Sequence, residues 1–278
     1  MSNHMPDNAQ LRVAVVSIGR SGTSLIARIL HEVLGVDFGD EADHIPRNHN
    51  NPDGYFENAE FLAFNDRILQ AAGGWVLSPP PLEYPARLAP TTREKLVAEA
   101  AALLEKYASS KTAFGWKDPR LSFTLPIWRA ACPALVPVIA FRKPVSVLSS
   151  IAAQLERPVD SLAGLWFAYY QRVFAYTDGM PCHVVSFDDL LTEPLPVVLG
   201  LARHLGIAVD ATQVQNQLAQ IIKPQQSRHS SATILPNSPS TLDLATLALF
   251  DYLRTATANG GQPEISRLQV LLHRGVAA

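Results

Sequence analysis

Two stretches of the chain run an apolar segment directly into side chains that hold anions. In LRVAVVSIGRSGTSLIARIL (11–30), the apolar run is followed by Arg20-Ser21-Gly22-Thr23-Ser24 and then by an amphipathic segment. In ALVPVIAFRKPVSVLSSIAAQ (134–154), the run ends on Arg142, and Pro144 opens the next segment. A strand that turns into a helix aims the free N–H groups and the positive dipole end of that helix at whatever sits in the turn. Gly22 allows close backbone approach. Thr23 and Ser24 add hydroxyl donors, and Arg20 and Arg142 add fixed, bidentate cations. The chemistry of both stretches is capture of a phosphate- or sulfate-like anion. A plainer role for Ser21 and Thr23 is helix capping alone.

The anion is not set by the usual triphosphate loop. That loop, GxxxxGK[ST], puts a Lys on the outer phosphates, and no Lys follows Gly22. A third polar group, Trp116-Lys117-Asp118-Pro119-Arg120, follows another short apolar run; Asp-Pro is a turn signal, and Lys117 stands beside it.

The elements that position these groups follow from period and punctuation. LRVAVVSI and ALVPVIAF read as strands buried on both faces, KTAFGW as a shorter strand, and CHVVSFDDLL (182–191) as another that leads into a short turn. Helical spacing covers 25–35, 57–73, 144–154 and 162–176. It also covers the stretch from Thr91, where a Thr cap is expected. A polar loop spans 39–55, a proline-rich connector spans 76–90, and the tail alternates helices with the basic loop IIKPQQSRHSS (221–231). Strands separated by helices imply an α/β fold: a central parallel sheet with helices on both sides, in three layers. One domain over 10–278 is expected, with 1–9 as a polar extension.

The composition narrows the classes. With 23 basic and 25 acidic residues the net charge is -2, so no general affinity for nucleic acid or membrane surfaces is expected, and any basic site is local. Two cysteines do not make a disulfide framework, and no metal site is expected. No stretch of about 18 apolar residues suggests a membrane span. The simplest expectation is a cytoplasmic enzyme or binding protein.

Arg20-Ser21-Gly22-Thr23-Ser24 resembles the 5′-phosphosulfate loop of sulfotransferases that use 3′-phosphoadenosine 5′-phosphosulfate (PAPS). Arg142 and Ser150, eight residues apart, resemble the pair that holds the 3′-phosphate in that family. Lys117-Asp118-Pro119 is similar to its Lys-Asp-Pro segment, whose Lys stands at the transferring sulfuryl group. SFDDLL resembles a Tyr-Glu-Asp-Leu segment near the adenine, with Phe187 in place of the Tyr. The resemblance runs with gaps from about residue 11 to 231. It implies a nucleotide-kinase-like sulfotransferase fold and no obligatory metal. It also implies sulfuryl transfer from PAPS to a hydroxyl of a small-molecule, glycan or lipid acceptor. Its branches point to different general bases: Glu41 by its place after the first helix, then Glu57 in Gly-Tyr-Phe-Glu, then His44. Arg228 falls where the family closes a segment over the 3′-phosphate, although a solvated loop accounts for it better. The competing classes are a small-molecule kinase, disfavoured by the missing loop Lys, and a non-catalytic nucleotide-binding relative. Neither the acceptor nor the oligomeric state can be read from the sequence.

Overall fold

The computed structural model describes residues 10–47, 54–222 and 244–258. Its centre is a four-stranded parallel sheet in the order β2-β1-β3-β4. The strands are β1 (Leu11–Val16), β2 (Ala113–Lys117), β3 (Leu135–Phe141) and β4 (His183–Ser186). The register pairs Val15 with Lys117 and Val13 with Val136 across β1, and Ile139 with Val184 at the β3–β4 junction. The unbroken apolar runs arise because the sheet is covered on both faces, so successive side chains enter different cores. Val13 and Val15 pack in an aliphatic layer with α1 (Thr23–Glu32), α8 (Phe187–Thr192), α9 (Pro194–His204) and α10 (Ala211–Ile221). Ala14 and Val16 face an aromatic-rich layer. That layer is built from α2 (Ala59–Ala71), α4 (Pro90–Ala108), α5 (Leu121–Ala131), α6 (Pro144–Leu155), α7 (Leu165–Tyr176) and α11 (Leu244–Ala258). Phe61 stacks on Trp128 with the rings 5.1 Å apart, and Trp166 meets Tyr170 at 4.3 Å. The three-layer α/β expectation therefore holds.

Three local expectations change. The connector 76–90 contains a one-turn helix, α3 (Tyr84–Arg87), anchored by Tyr84, which is buried and donates to the Phe123 carbonyl at 2.7 Å. Helix α4 has no Thr cap: Pro90 occupies its first turn, where a fixed φ and a missing N–H cost nothing. The short turn expected after the strand in 182–191 is a helix, α8. Ser186 ends β4 and its hydroxyl accepts from the Asp189 N–H at 3.1 Å, which starts α8. No helix among the described residues is long and apolar enough to cross a membrane. The expected basic loop, with Lys223, Arg228 and His229, lies outside the described residues.

Candidate active site

Strands β1, β2 and β3 all point their carboxyl ends the same way, so the loop after β1, Lys117 and Arg142 emerge along one edge of the sheet. This is where open parallel sheets bind ligands. The loop after β1 is tightly specified. Arg20 has φ 68° and Gly22 has φ 82°, both left-handed. That conformation is uncommon for an arginine, and such strain collects at functional turns. At Gly22 a Cβ would lie 1.9 Å from the ring of Phe187, so the position demands glycine for space as well as for φ. Below the loop, the Tyr170 hydroxyl donates to the Ala140 carbonyl at 2.7 Å, which leaves Ser17 to donate to the phenol oxygen at 3.1 Å. Ser21 and Thr23 are buried at the same turn. Gly22 is the N-cap of α1 and brings no side-chain hydrogen bond, so the first N–H groups of the helix face the turn.

Arg142 follows the last residue of β3, and its carbonyl accepts from the Trp166 indole N–H at 3.2 Å. Its guanidinium lies 4.8 Å from the Phe187 ring centroid and donates to the Arg20 carbonyl at 3.4 Å. Nε of Arg20 donates to Ser150 Oγ at 2.9 Å. Arg20, Arg142, Ser150 and the turn thus form one cradle, with Phe187 wedged against Gly22 and Arg142. Burial pushes the Arg142 pKa down; Asp188 opposes this, and the like charge of Arg20 adds to it. Asp188 also accepts from the Lys143 N–H at 3.3 Å.

Lys117, at the end of β2, is 4% exposed, and Glu57 is 6% exposed. Nζ of Lys117 donates to Oε1 of Glu57 in a buried ion pair. Glu57 is aimed by its neighbours. Asn58 caps α2 by accepting from the N–H groups of Glu60 (2.9 Å) and Phe61 (3.2 Å). The Glu57 carbonyl accepts from the Ile45 N–H at 2.8 Å, and Phe56 takes a left-handed φ of 55°. Burial raises the Glu57 pKa, with Lys117 pulling it back and Asp118 raising it further. The Tyr55 ring lies 5.9 Å from Nζ of Lys117.

The other candidate bases lie farther out. Glu41 sits in a single 3₁₀ turn, Glu41–Asp43, with its side chain 73% exposed and 2.7 Å from Arg47. His44 Nε2 bonds the Phe38 carbonyl at 2.8 Å, and its ring lies against Phe56. These residues, with His31, Phe38 and Tyr55, line a cavity of about 250 Å³. Sequence reasoning missed Tyr55 and the buried Asn65. Asn65 was findable, since it falls on the apolar stripe of α2 with Phe61 and Ile68, where a polar residue needs a partner. No group of three His, Cys, Asp or Glu side chains among the described residues gathers to hold a metal.

A parallel α/β sheet with a cationic, hydroxyl-lined turn at its carboxyl edge has the chemistry that suits a phosphate- or sulfate-bearing ligand. The sequence pattern of the sulfotransferase family matches residues 12–211, and the chain belongs to that family. Among solved structures, the sulfotransferase domain of the olefin synthase of Synechococcus PCC 7002 shares the fold. Its TM-score is 0.53 at 16% identity, over 88% of this chain and 96% of that one. A sulfotransferase from Mycobacterium tuberculosis H37Rv aligns more loosely, with a TM-score of 0.43 at 18% identity over 77% of this chain and 72% of its own. Among curated proteins none matches.

Proposed function

We propose that the chain is a PAPS-dependent sulfotransferase that acts on a hydroxyl group, with Glu57 as general base. The observation that carries this reading is the meeting of Arg20, Arg142 and Ser150 at the turn that heads α1. The donor set fits a ligand with two separated anionic groups: two guanidiniums, hydroxyls and a helix N-terminus, with Gly22 kept free of a side chain. Bound PAPS would supply an activated sulfuryl group whose bridging oxygen gains charge as the bond to sulfur breaks. Arg20, Ser21, Gly22, Thr23 and Ser24 hold the 5′ end, and Arg142 and Ser150 hold the 3′-phosphate. Arg228 joins them only as an expectation from the sequence.

The catalytic roles follow from the buried pair. Lys117 is paired with a buried carboxylate that can accept a proton. When a sulfuryl group draws Lys117 toward its oxygens, Glu57 loses its partner and becomes the stronger base. The acceptor oxygen then forms its bond to sulfur, its proton passes to Glu57, and the electron pair of the broken bond leaves on adenosine 3′,5′-bisphosphate. Positioning and charge stabilisation supply the rate, as in phosphoryl transfer. Glu41 is the second choice of base, because its carboxylate sits on the surface with Arg47. The cavity beside Tyr55 and Phe56 is the natural entrance for the small-molecule, glycan or lipid acceptor.

Titration calorimetry with adenosine 3′,5′-bisphosphate tests the cradle. Binding to the wild type is expected, with a loss of about 2 kcal/mol in Arg142→Ala for removal of a charged partner. Preferential binding of ATP–Mg²⁺, insensitive to Arg142, would favour a kinase instead. Release of the bisphosphate from PAPS only when a hydroxyl acceptor is present distinguishes an enzyme from a binding relative.

A further inference from the structure

Helix α7 carries two polar aromatic tips that meet the backbone just behind the cradle. The register between β1 and β3 ends with Val16 opposite Ile139, while β3 runs on to Phe141. Past that pair the ladder stops, and one chain leads to Arg20 while the other leads to Arg142. The Tyr170 phenol bridges this fork. Ser17, the first residue past β1, donates to it at 3.1 Å, and it donates to the Ala140 carbonyl of β3 at 2.7 Å. Ser17 and Tyr170 are both 0% exposed. One helical turn earlier, the Trp166 indole N–H donates to the Arg142 carbonyl at 3.2 Å. The N–H of that same peptide, from Lys143, donates to Asp188 at 3.3 Å, so the peptide after Arg142 is held at both ends. Trp166 and Tyr170 are four residues apart on one face of α7, and their rings lie 4.3 Å apart.

We propose that Tyr170 and Trp166 are positioning residues, a clamp on α7 that fixes the spacing between the turn carrying Arg20 and the strand end carrying Arg142, and so favours ligands with two anionic groups. The proposal rests on the reading of Arg20, Arg142 and Ser150 as the cradle of such a ligand, and neither aromatic residue need touch it. A buried phenol or indole needs a hydrogen-bond partner, and any carbonyl would serve for packing alone. These two instead take the groups that stand where the β1–β3 ladder no longer sets the spacing. Arg142 with the Arg20 carbonyl, and Arg20 with Ser150, also join the two halves. Those contacts use the guanidiniums that an incoming anion engages. The clamp uses neither, so it holds the spacing while both guanidiniums turn to the ligand. A ligand with two anionic groups gains from this because its second group meets a partner already in place. A ligand with one group gains nothing from the spacing.

The test sets a doubly anionic ligand against a singly anionic one on the intact protein. Calorimetry is run with adenosine 3′,5′-bisphosphate and with adenosine 5′-phosphate. Tyr170→Phe removes only the hydroxyl. The bisphosphate should weaken by about 10-fold, while the 5′-phosphate stays within about twofold of the wild type. Ser17→Ala takes the hydroxyl from the other side of the fork, should act in the same direction, and serves if Tyr170→Phe does not fold. Equal losses for the two ligands, or none for either, in a folded variant overturn the proposal. Amide hydrogen exchange in the ligand-free protein judges the clamp apart from the cradle. Tyr170→Phe should speed exchange at residues 18–24 and at 142 and 143, and leave α10 unchanged. Exchange that stays the same at both stretches overturns the proposal. If the wild type binds neither nucleotide, the cradle reading fails, and exchange alone decides whether α7 fixes the two segments.

Discussion

The site contains two cationic clusters built on opposite plans. In the cradle, Arg20 and Arg142 stand close enough for one to disfavour the charge of the other, and the turn between them is held in left-handed backbone. In the buried pair, Lys117 is already neutralised by Glu57. The first arrangement gains from an incoming anion, because the anion relieves the repulsion between the two guanidiniums. The second loses its own contact before it can serve a ligand, since a buried ion pair offsets its desolvation only while both partners are in place. On the proposed reading, affinity belongs to the cradle, and the cost of opening the pair belongs to the chemical step.

Substitutions can break that division. The largest effect is expected from Glu57→Gln: turnover should fall by about 100-fold or more, as for loss of a general base. Affinity for adenosine 3′,5′-bisphosphate should stay within about twofold, a range set by the absence of any cradle contact. Calorimetry beside a single-turnover assay reads both. A parallel loss of binding would merge the two clusters into one. Arg142→Ala should do the reverse, weakening the bisphosphate by about 30-fold, the equivalent of about 2 kcal/mol. Gly22→Ala follows. The added methyl falls on the Phe187 ring and strains a residue at φ 82°, so a loss of about 1–3 kcal/mol is expected. Thermal denaturation checks it, and pairing it with Phe187→Ala, which removes the obstructing ring, should recover part of the loss.

The cradle was legible in the sequence because its parts are local. Arg20 to Ser24 form one turn, and Arg142 and Ser150 are joined by a single strand-to-helix step. Even there one contact was not foreseen: Ser150 holds the guanidinium of Arg20. The pair was legible only in part. Lys117 was identifiable from its motif, but which carboxylate reaches it depends on how residues 54–58 lie against β2. Glu57 and Lys117 are 60 residues apart, and Asn65 and Asp118 are 53 apart. Spacing after the first helix favoured Glu41, whereas the Asn58 cap and the Ile45–Glu57 hydrogen bond bring Glu57 inward. The helix that replaces the expected turn after β4 has a similar cause. The apolar run through Phe187 suits a strand and a packed helix equally, and the cap at Ser186 decides.

The smallest expected effect is the most discriminating. Glu41 is mostly exposed and its partner Arg47 is exposed as well, so the pair is screened by water and worth about 0–1 kcal/mol. Glu41→Gln keeps the size of the side chain and removes only that charge. Stability should change by about 0.5 kcal/mol or less. Turnover should stay within about twofold of the wild type, since no contact among the described residues ties Glu41 to Lys117. If Glu41→Gln instead matched the loss expected of Glu57→Gln, the loop carrying it would have to swing over the cradle before reaction. Glu57 would then be the fixed counter-ion that keeps Lys117 buried, and opening the pair would no longer be part of the chemical step.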